Sequence, residues 1–270
     1  MTADRGINSI EQQYTKYEWR HNKDSQLTKI AREIIDGERD GIHGMVMLKD
    51  AATLIIIDRS ASEPRVLLGR RHARHKFMPG KFVFPGGRLD ASDHVMPVAK
   101  PLHPAVERKL LAQLQLPAQD FARALALAAI RETFEETGLV IGARGPVAGA
   151  VPAGPWTKFV QTGFYPDPSM LQFIARAITP PGFPHRFDAR FLCVDLSAIA
   201  HRLPDVIHAG AELTELTWLP IAAAHNLNLP VITSLVLDEL ETRLQADFRP
   251  ELPVAFYCHR DDDYKRELII

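Results

Sequence analysis

Three glutamates, Glu132, Glu135 and Glu136, stand together in the segment Arg131-Glu-Thr-Phe-Glu-Glu-Thr-Gly138. At helical spacing i, i+3 and i+4 they share one face, and like charges so placed destabilise a helix by roughly a few tenths of a kcal/mol per pair. Gly138 suits the left-handed backbone that ends a helix. The glutamates therefore fall in the last turns, where the helix dipole is negative and each carboxylate loses about 0.3–1 kcal/mol. Stability alone would place Lys or Arg there. A divalent cation removes both penalties, and three carboxylates on one rigid face offer the hard oxygen ligands that suit Mg²⁺ or Mn²⁺. Arg131, at i+4 to Glu135, is placed to orient a carboxylate. A bare triplet of this kind also fits a solvated acidic helix end, so the flanking residues decide.

The elements that must position these glutamates follow from the pattern. A helix is expected over 120–137, with Phe121, Leu125 and Ala128 on one stripe and Leu127, Ile130 and Phe134 broadening it. Upstream, the run Ala52-Thr-Leu-Ile-Ile-Ile-Asp58 reads as a buried strand and Arg65-Val-Leu-Leu-Gly-Arg-Arg71 as its hairpin partner, across the turn Arg59-Ser-Ala-Ser-Glu-Pro64. Phe82-Val-Phe-Pro-Gly-Gly87 reads as a brief strand running into a loop. A helix bounded by prolines is expected over 105–114, a short helix over 171–178, strands over 187–196 and 213–219, a long amphipathic helix over 231–246 and a last strand over 254–259. Interleaved helices and strands predict an α/β sandwich. Residues 1–45 are polar and read as a loose extension with one amphipathic helix at 27–35; residues 46–270 form the globular domain.

The chain has 270 residues, 46% hydrophobic and 24% charged, the balance of a globular protein with a sizeable core. Lys and Arg number 32 against 33 Asp and Glu. Near-neutral charge argues against a general nucleic-acid or membrane-surface binder, so an anion site must come from local clustering. Cys193 and Cys258 match no zinc spacing or disulfide framework and read as two reduced thiols of a cytoplasmic protein. No apolar run reaches the length of a membrane span, and the N-terminus has no signal-peptide core.

Arg131-Glu132-x-x-Glu135-Glu136-x-Gly138-Leu139, with Phe84-Pro85-Gly86-Gly87 upstream, resembles the two halves of the signature of the Nudix hydrolases. The resemblance implies an α/β/α sandwich with a mixed sheet. It implies that Glu132, Glu135 and Glu136 bind the metal, that Arg131 braces them, and that Gly86 and Gly87 let backbone, at Gly87 above all, approach the ion. Two departures stand out. A helical insertion, about 94–118, separates the glycine loop from the Arg-Glu pair. The fourth glutamate of the signature, eight residues before the arginine, is Arg123. That carboxylate is either absent or replaced by Asp90, Asp93 or Glu107. Phe77-Met-Pro-Gly80 before the glycine loop, the insertion, and Thr179-Pro-Pro181 leading to Arg186-Phe-Asp-Ala-Arg-Phe191 are similar to the branch related to peroxisomal coenzyme A diphosphatases.

For the substrate, Arg65, Arg70, Arg71, Arg74, Lys76, Lys81 and Arg88 form a basic stretch without an intervening Asp or Glu. Arginine forks match phosphate oxygens, so Arg70, Arg71, Arg74 and Arg88 are candidate contacts to a diphosphate; a solvated basic loop is the equal alternative. His72 and His75 read first as surface residues and second as contacts to phosphate. Arg186 and Phe187 are candidates because the branch motif contains them. In many Nudix enzymes a glutamate from the region of Glu212 and Glu215 activates water, and alternation would put Leu213, Glu215 and Thr217 on one strand face. Leu110, Leu111 and Leu114 of the insertion are candidates to cover a pantetheine or acyl arm. The expected activity is cleavage of a diphosphate bond in a small nucleotide derivative such as coenzyme A or acyl-coenzyme A. The rivals are ADP-ribose, NADH or dinucleoside polyphosphates as substrate, or a non-catalytic nucleotide-sensing module. Homodimerisation stays open.

Overall fold

The apolar run after Asp50 becomes the long strand β1 (Leu48–Asp58), and β2 (Arg65–Arg71) returns beside it, antiparallel, with Ile57 opposite Val66. The computed structural model describes residues 46–270 apart from 76, 77, 146, 148, 250 and 262. The extension at 1–45 with its expected helix, and Lys76 of the basic stretch, lie outside the described residues. β1 is apolar on both sides because both sheet faces are covered: Ala52, Leu54 and Ile56 enter one buried cluster, Ile55 and Ile57 the other.

Along the chain follow β3 (Phe82–Val83), β4 (Gly86–Arg88), a 3₁₀ turn at Ala91–His94, and the helices α1 (Pro104–Leu111) and α2 (Phe121–Thr137). Then come β5 (Leu139–Ala143), α3 (Trp156–Gln161), β6 (Tyr165–Pro166), β7 (Gln172–Ile178), β8 (Arg186–Asp195) and β9 (Ile199–Arg202). β10 (Leu213–Pro220), α4 (Ile221–Ala224), α5 (Val231–Gln245), β11 (Val254–Arg260) and β12 (Asp263–Ile269) complete the fold. The main sheet is mixed and runs β10-β2-β1-β8-β7-β11-β12, with β3 on β2 and β4 on β1. The β1–β8 and β7–β11 pairs are parallel. One face carries α1 and α2, and the other carries α5 through Leu235, Val236, Leu237 and Leu240. This is the predicted α/β sandwich with a mixed sheet.

Several expectations need correction. The short helix expected over 171–178 is strand β7. Its eight apolar-rich residues are too few for periodicity to separate helix from strand. Here Phe173 faces one core and Ile174 the other, with β8 and β11 on its flanks. The brief strand ends at Val83, and the loop expected at the double glycine is a second short strand, in which Gly86 and Gly87 pair with Thr53 and Ala52. The insertion helix stops at Leu111, and Leu110 is buried in the core against α2, so it belongs to the packing of the domain and not to an outer cover. α3 and β12 went unpredicted. Leu213 is fully buried while Glu215 is exposed, because a bulge between them breaks the strict alternation.

α2 is buried nearly all round. Ala122, Ala124, Ala126, Ala128 and Ala129 have no exposed surface, and small side chains let the helix lie close between sheet and insertion. Gly138 ends it in the left-handed conformation (φ 74°), its N–H donating to the Phe134 carbonyl at 2.8 Å. A side chain at Gly138 would also meet the Leu203 carbonyl.

Candidate active site

The last two turns of α2 face the double-glycine segment of β4. Glu136 is buried and accepts a hydrogen bond from the Gly86 N–H at 3.0 Å. A Cβ on Gly87 would fall inside the Glu132 carboxylate, and one on Gly86 would lie 2.6 Å from the Thr53 Cα. Glycine is required at both positions because backbone and carboxylate come too close for a side chain. The glutamates thus face a backbone cradle. Glu132 is half-buried and Glu135 is the exposed member.

Arg131 is buried and organises the cluster. Its Nη1 donates to Glu132 Oε1 at 2.8 Å and lies 3.5 Å from Glu135 Oε2, and its Nη2 donates to the Arg88 carbonyl at 2.9 Å. Asp93, fully buried, takes its remaining donors: Oδ1 accepts from Arg131 Nε at 2.9 Å and Oδ2 from Nη2 at 2.9 Å. Asp93 also accepts from Trp156 Nε1 at 3.1 Å and from the Asp90 N–H at 2.9 Å. Of the three carboxylates that sequence left open as replacements, Asp93 is the one joined to Arg131. Asp90 accepts from Ser92 and borders the adjoining cleft, and Glu107 on α1 takes no part. Arg123, in the position of the missing glutamate, donates to the His94 carbonyl and so ties α2 to the turn that carries Asp93.

The electrostatics are unbalanced. Burial pushes the Glu132, Glu135 and Glu136 carboxyls above their ordinary range, Glu136 furthest. Arg131 opposes the shift at Glu132 and Glu135, while the charge of Glu212 adds to it at Glu132 and Glu136. Burial works against the Arg131 cation, but the Asp93 hydrogen bonds and the Glu132 and Asp93 charges outweigh it, and its pKa is raised. Four carboxylates (Glu132, Glu135, Glu136 and Glu212) therefore outnumber the cations beside them, which favours protonation or a bound cation. The donor set is all oxygen and the glycine cradle leaves the carboxylates accessible to backbone, a fit to a hard divalent ion. Among the described residues a compact group whose ligand atoms lie within 4.8 Å of one another is His225, Asp238 and Glu241, at α5 and not at this site. The α2 carboxylates are instead held apart by Arg131 and Gly86.

The predicted substrate contacts separate. Arg71 donates to Glu212 at 3.0 Å, bringing that pair toward the glutamates. Arg70 pairs with Glu215 at 3.3 Å, both about half exposed, and lies over the Phe82 ring. Glu212 and not Glu215 is therefore the member of the pair whose charge reaches α2. Arg74 is exposed, and Arg65 is occupied by Asp58 at the far end of β1. Arg88 borders a cleft of about 630 Å³ lined by Lys49, Asp50, Arg88, Leu89, Asp90, Arg131 and Glu132. Arg186 donates to the Thr179 carbonyl, and Arg186 and Phe187 pair in register with Leu48 and Lys49 at the border of that cleft. Sequence reading missed Lys49 and Asp50. No spacing signal links Asp50 to its partner Arg190, which lies 140 residues away.

No protein-family model and no curated protein matches the sequence. Among solved structures, a NUDIX hydrolase from Alicyclobacillus acidocaldarius is 27% identical, covers 72% of this chain and 91% of its own, and superposes with a TM-score of 0.53. The NUDIX domain of Shewanella oneidensis NrtR, in complex with ADP ribose, is 12% identical over 74% of this chain and 90% of its own (TM-score 0.42). The MutT protein from Methanosarcina mazei is 13% identical over 75% and 99% (TM-score 0.42). The match to the Alicyclobacillus enzyme, together with the mixed-sheet sandwich, supports placing this chain with the Nudix hydrolases, as a Nudix-type hydrolase.

Proposed function

We propose that the chain is a metal-dependent hydrolase that cleaves the diphosphate bond of a nucleotide derivative, with Glu132, Glu135 and Glu136 holding Mg²⁺ or Mn²⁺. The observation that carries this reading is the surplus of buried carboxylate against the Gly86–Gly87 backbone, a charge that a bound divalent cation would balance. When bound, a divalent ion neutralises phosphate oxygens and lowers the pKa of water. The remaining roles belong to the chain. Arg131, locked by Asp93, fixes Glu132 and Glu135. Arg88 and Lys49 are placed to hold phosphate oxygens. Glu212, steadied by Arg71, is the candidate base: it takes a proton from water as the water oxygen bonds to phosphorus and the bond from phosphorus to the leaving phosphate breaks. Arg70, Arg74, Arg186 and Phe187 remain candidate outer contacts to the substrate, and Glu215 is a weaker candidate base than Glu212.

Within this reading, coenzyme A or an acyl derivative as substrate, giving 3′,5′-ADP and a phosphopantetheine, rests on the sequence motifs alone. The core position of Leu110 removes one argument for an arm-covering insertion. The presence of all three glutamates on α2 favours an enzyme over a nucleotide-sensing module. The test is a panel of coenzyme A, acyl-coenzyme A, ADP-ribose, NADH and diadenosine polyphosphates with Mg²⁺ and Mn²⁺. Hydrolysis that needs the ion and is abolished by Glu135→Gln with Glu136→Gln supports the proposal; ion-independent turnover, or turnover unchanged in that variant, overturns it. Selectivity for ADP-ribose over coenzyme A would remove only the narrower substrate.

A further inference from the structure

Two carboxylates of the cleft beside Glu132 lie outside the proposed metal set: Asp90, which accepts from Ser92, and Asp50. Asp50, whose side chain is 39% exposed, stands on β1 and receives Arg190 Nη1 on Oδ1 at 2.6 Å. The Arg190 side chain is completely buried. Its Nη1 also donates to the Asp188 carbonyl at 2.7 Å, and Asp188 in turn accepts from Arg176 at 2.9 and 2.7 Å. This chain of four charges crosses β7, β8 and β1 and ends at the cleft. It is not arranged for stability alone: Arg190 Nε is buried with no hydrogen-bond partner among the described residues. Buried ion pairs are also weak contributors to stability compared with apolar packing. The network does fix the orientation of one half-exposed acceptor. Locking a binding residue by buried partners is how a site gains precision.

What the acceptor faces is set by the rest of the cleft. Of its seven lining residues only Leu89 is apolar, so no wall suits a stacked base. Lys49 and Arg88, also lining it, are exposed cations with no carboxylate partner among the described residues. Glu132 closes one side, so a group beside Asp50 shares the cleft with the reacting diphosphate. A sugar bearing hydroxyl donors and attached to phosphate fits that combination.

We propose that Asp50, held by Arg190, is a specificity-determining residue that accepts a hydrogen bond from a ribose hydroxyl next to the scissile diphosphate, with Lys49 and Arg88 taking phosphate oxygens. The inference rests on the diphosphate-hydrolase reading and deepens it by naming the residue that would read the ribose. The probes are diadenosine diphosphate, whose two riboses are alike, and its counterpart lacking the 2′ and 3′ hydroxyls. The protein is expected to favour the ribose form by about tenfold in KM with similar kcat, the pattern of a contact made equally in ground and transition states. The same preference is expected in equilibrium binding in EDTA, where turnover is absent. Asp50→Ala, which offers the hydroxyls neither donor nor acceptor and leaves Arg190 its contacts with Asp188, should erase the preference. Equal affinity of the wild-type protein for the two probes, including failure to bind either, overturns the inference whatever the variant does. So does a preference that survives in a folded Asp50→Ala protein. Loss of ion-dependent hydrolysis on the whole substrate panel would instead defeat the broader reading.

Discussion

Two glutamates on two helices are equally buried and oppositely treated. Glu239, on α5, is 2% exposed and fully answered: Arg266 grips it with Nε and Nη2 at 2.8 and 2.9 Å, and the Tyr257 hydroxyl donates at 2.7 Å. Glu136, on α2, is 5% exposed and receives a backbone N–H, while Glu132 and Glu212 crowd it with like charge. A fold that can give one buried carboxylate a bidentate arginine could have given the other one too. The contrast separates a carboxylate gripped by a bidentate arginine from one that accepts only a backbone N–H.

The comparison breaks most visibly if the two helices respond alike to substitution. Glu135→Gln with Glu136→Gln should lower turnover by on the order of 10³-fold or more without lowering the melting temperature, since electrostatic stabilisation at the reacting phosphate is lost. Glu239→Ala should do the reverse. It strands Arg266 and is expected to cost about 3–5 kcal/mol in denaturant unfolding with kcat retained in the folded fraction. Glu212→Gln should reduce kcat by about 10²-fold, and Glu215→Gln should stay within about twofold, if Glu212 is the base; equal losses would dissolve the distinction drawn from the Arg71 contact. Asp93→Asn should lower activity by about 10–100-fold, as loss of a residue that orients a metal-site group does.

The smallest effect is the most diagnostic in sign. The folded pKa of Glu136 is raised above 4.5, so the native state keeps a proton that the unfolded chain releases. Its favourable contribution is complete below the ordinary carboxylate pKa and is lost as pH climbs through the higher folded value. In metal-free neutral buffer Glu136→Gln should therefore melt a few degrees above the wild-type protein, at about 2–4 °C per kcal/mol for a domain of this size. A lower melting temperature would mean the carboxylate is stabilising after all.

Much of this was legible in the sequence, for identifiable reasons. The glutamate face, Gly138 and the double glycine announced themselves because helix period, dipole and glycine conformation act over a few residues. β1 and β2 were readable because hairpin partners are close in the chain. Asp93 was visible only as one of three options, since nothing local says which acidic side chain turns inward to meet Arg131. Asp50 and Arg190 were invisible: their pairing exists because β1 and β8 run parallel, a fact no local pattern contains. The same holds for β7, whose residues became a strand through its neighbours, and for Glu215, turned away from Leu213 by a bulge that alternation does not foresee.

If the carboxylates at the end of α2 hold a divalent cation, thermal unfolding reports it without any substrate. Increasing Mn²⁺ should raise the melting temperature of the wild-type protein and leave that of the Glu135→Gln, Glu136→Gln variant in place, with His225→Ala behaving as wild type. An ion response that persists in the glutamate variant and disappears in His225→Ala, or no response at all, would contradict the account.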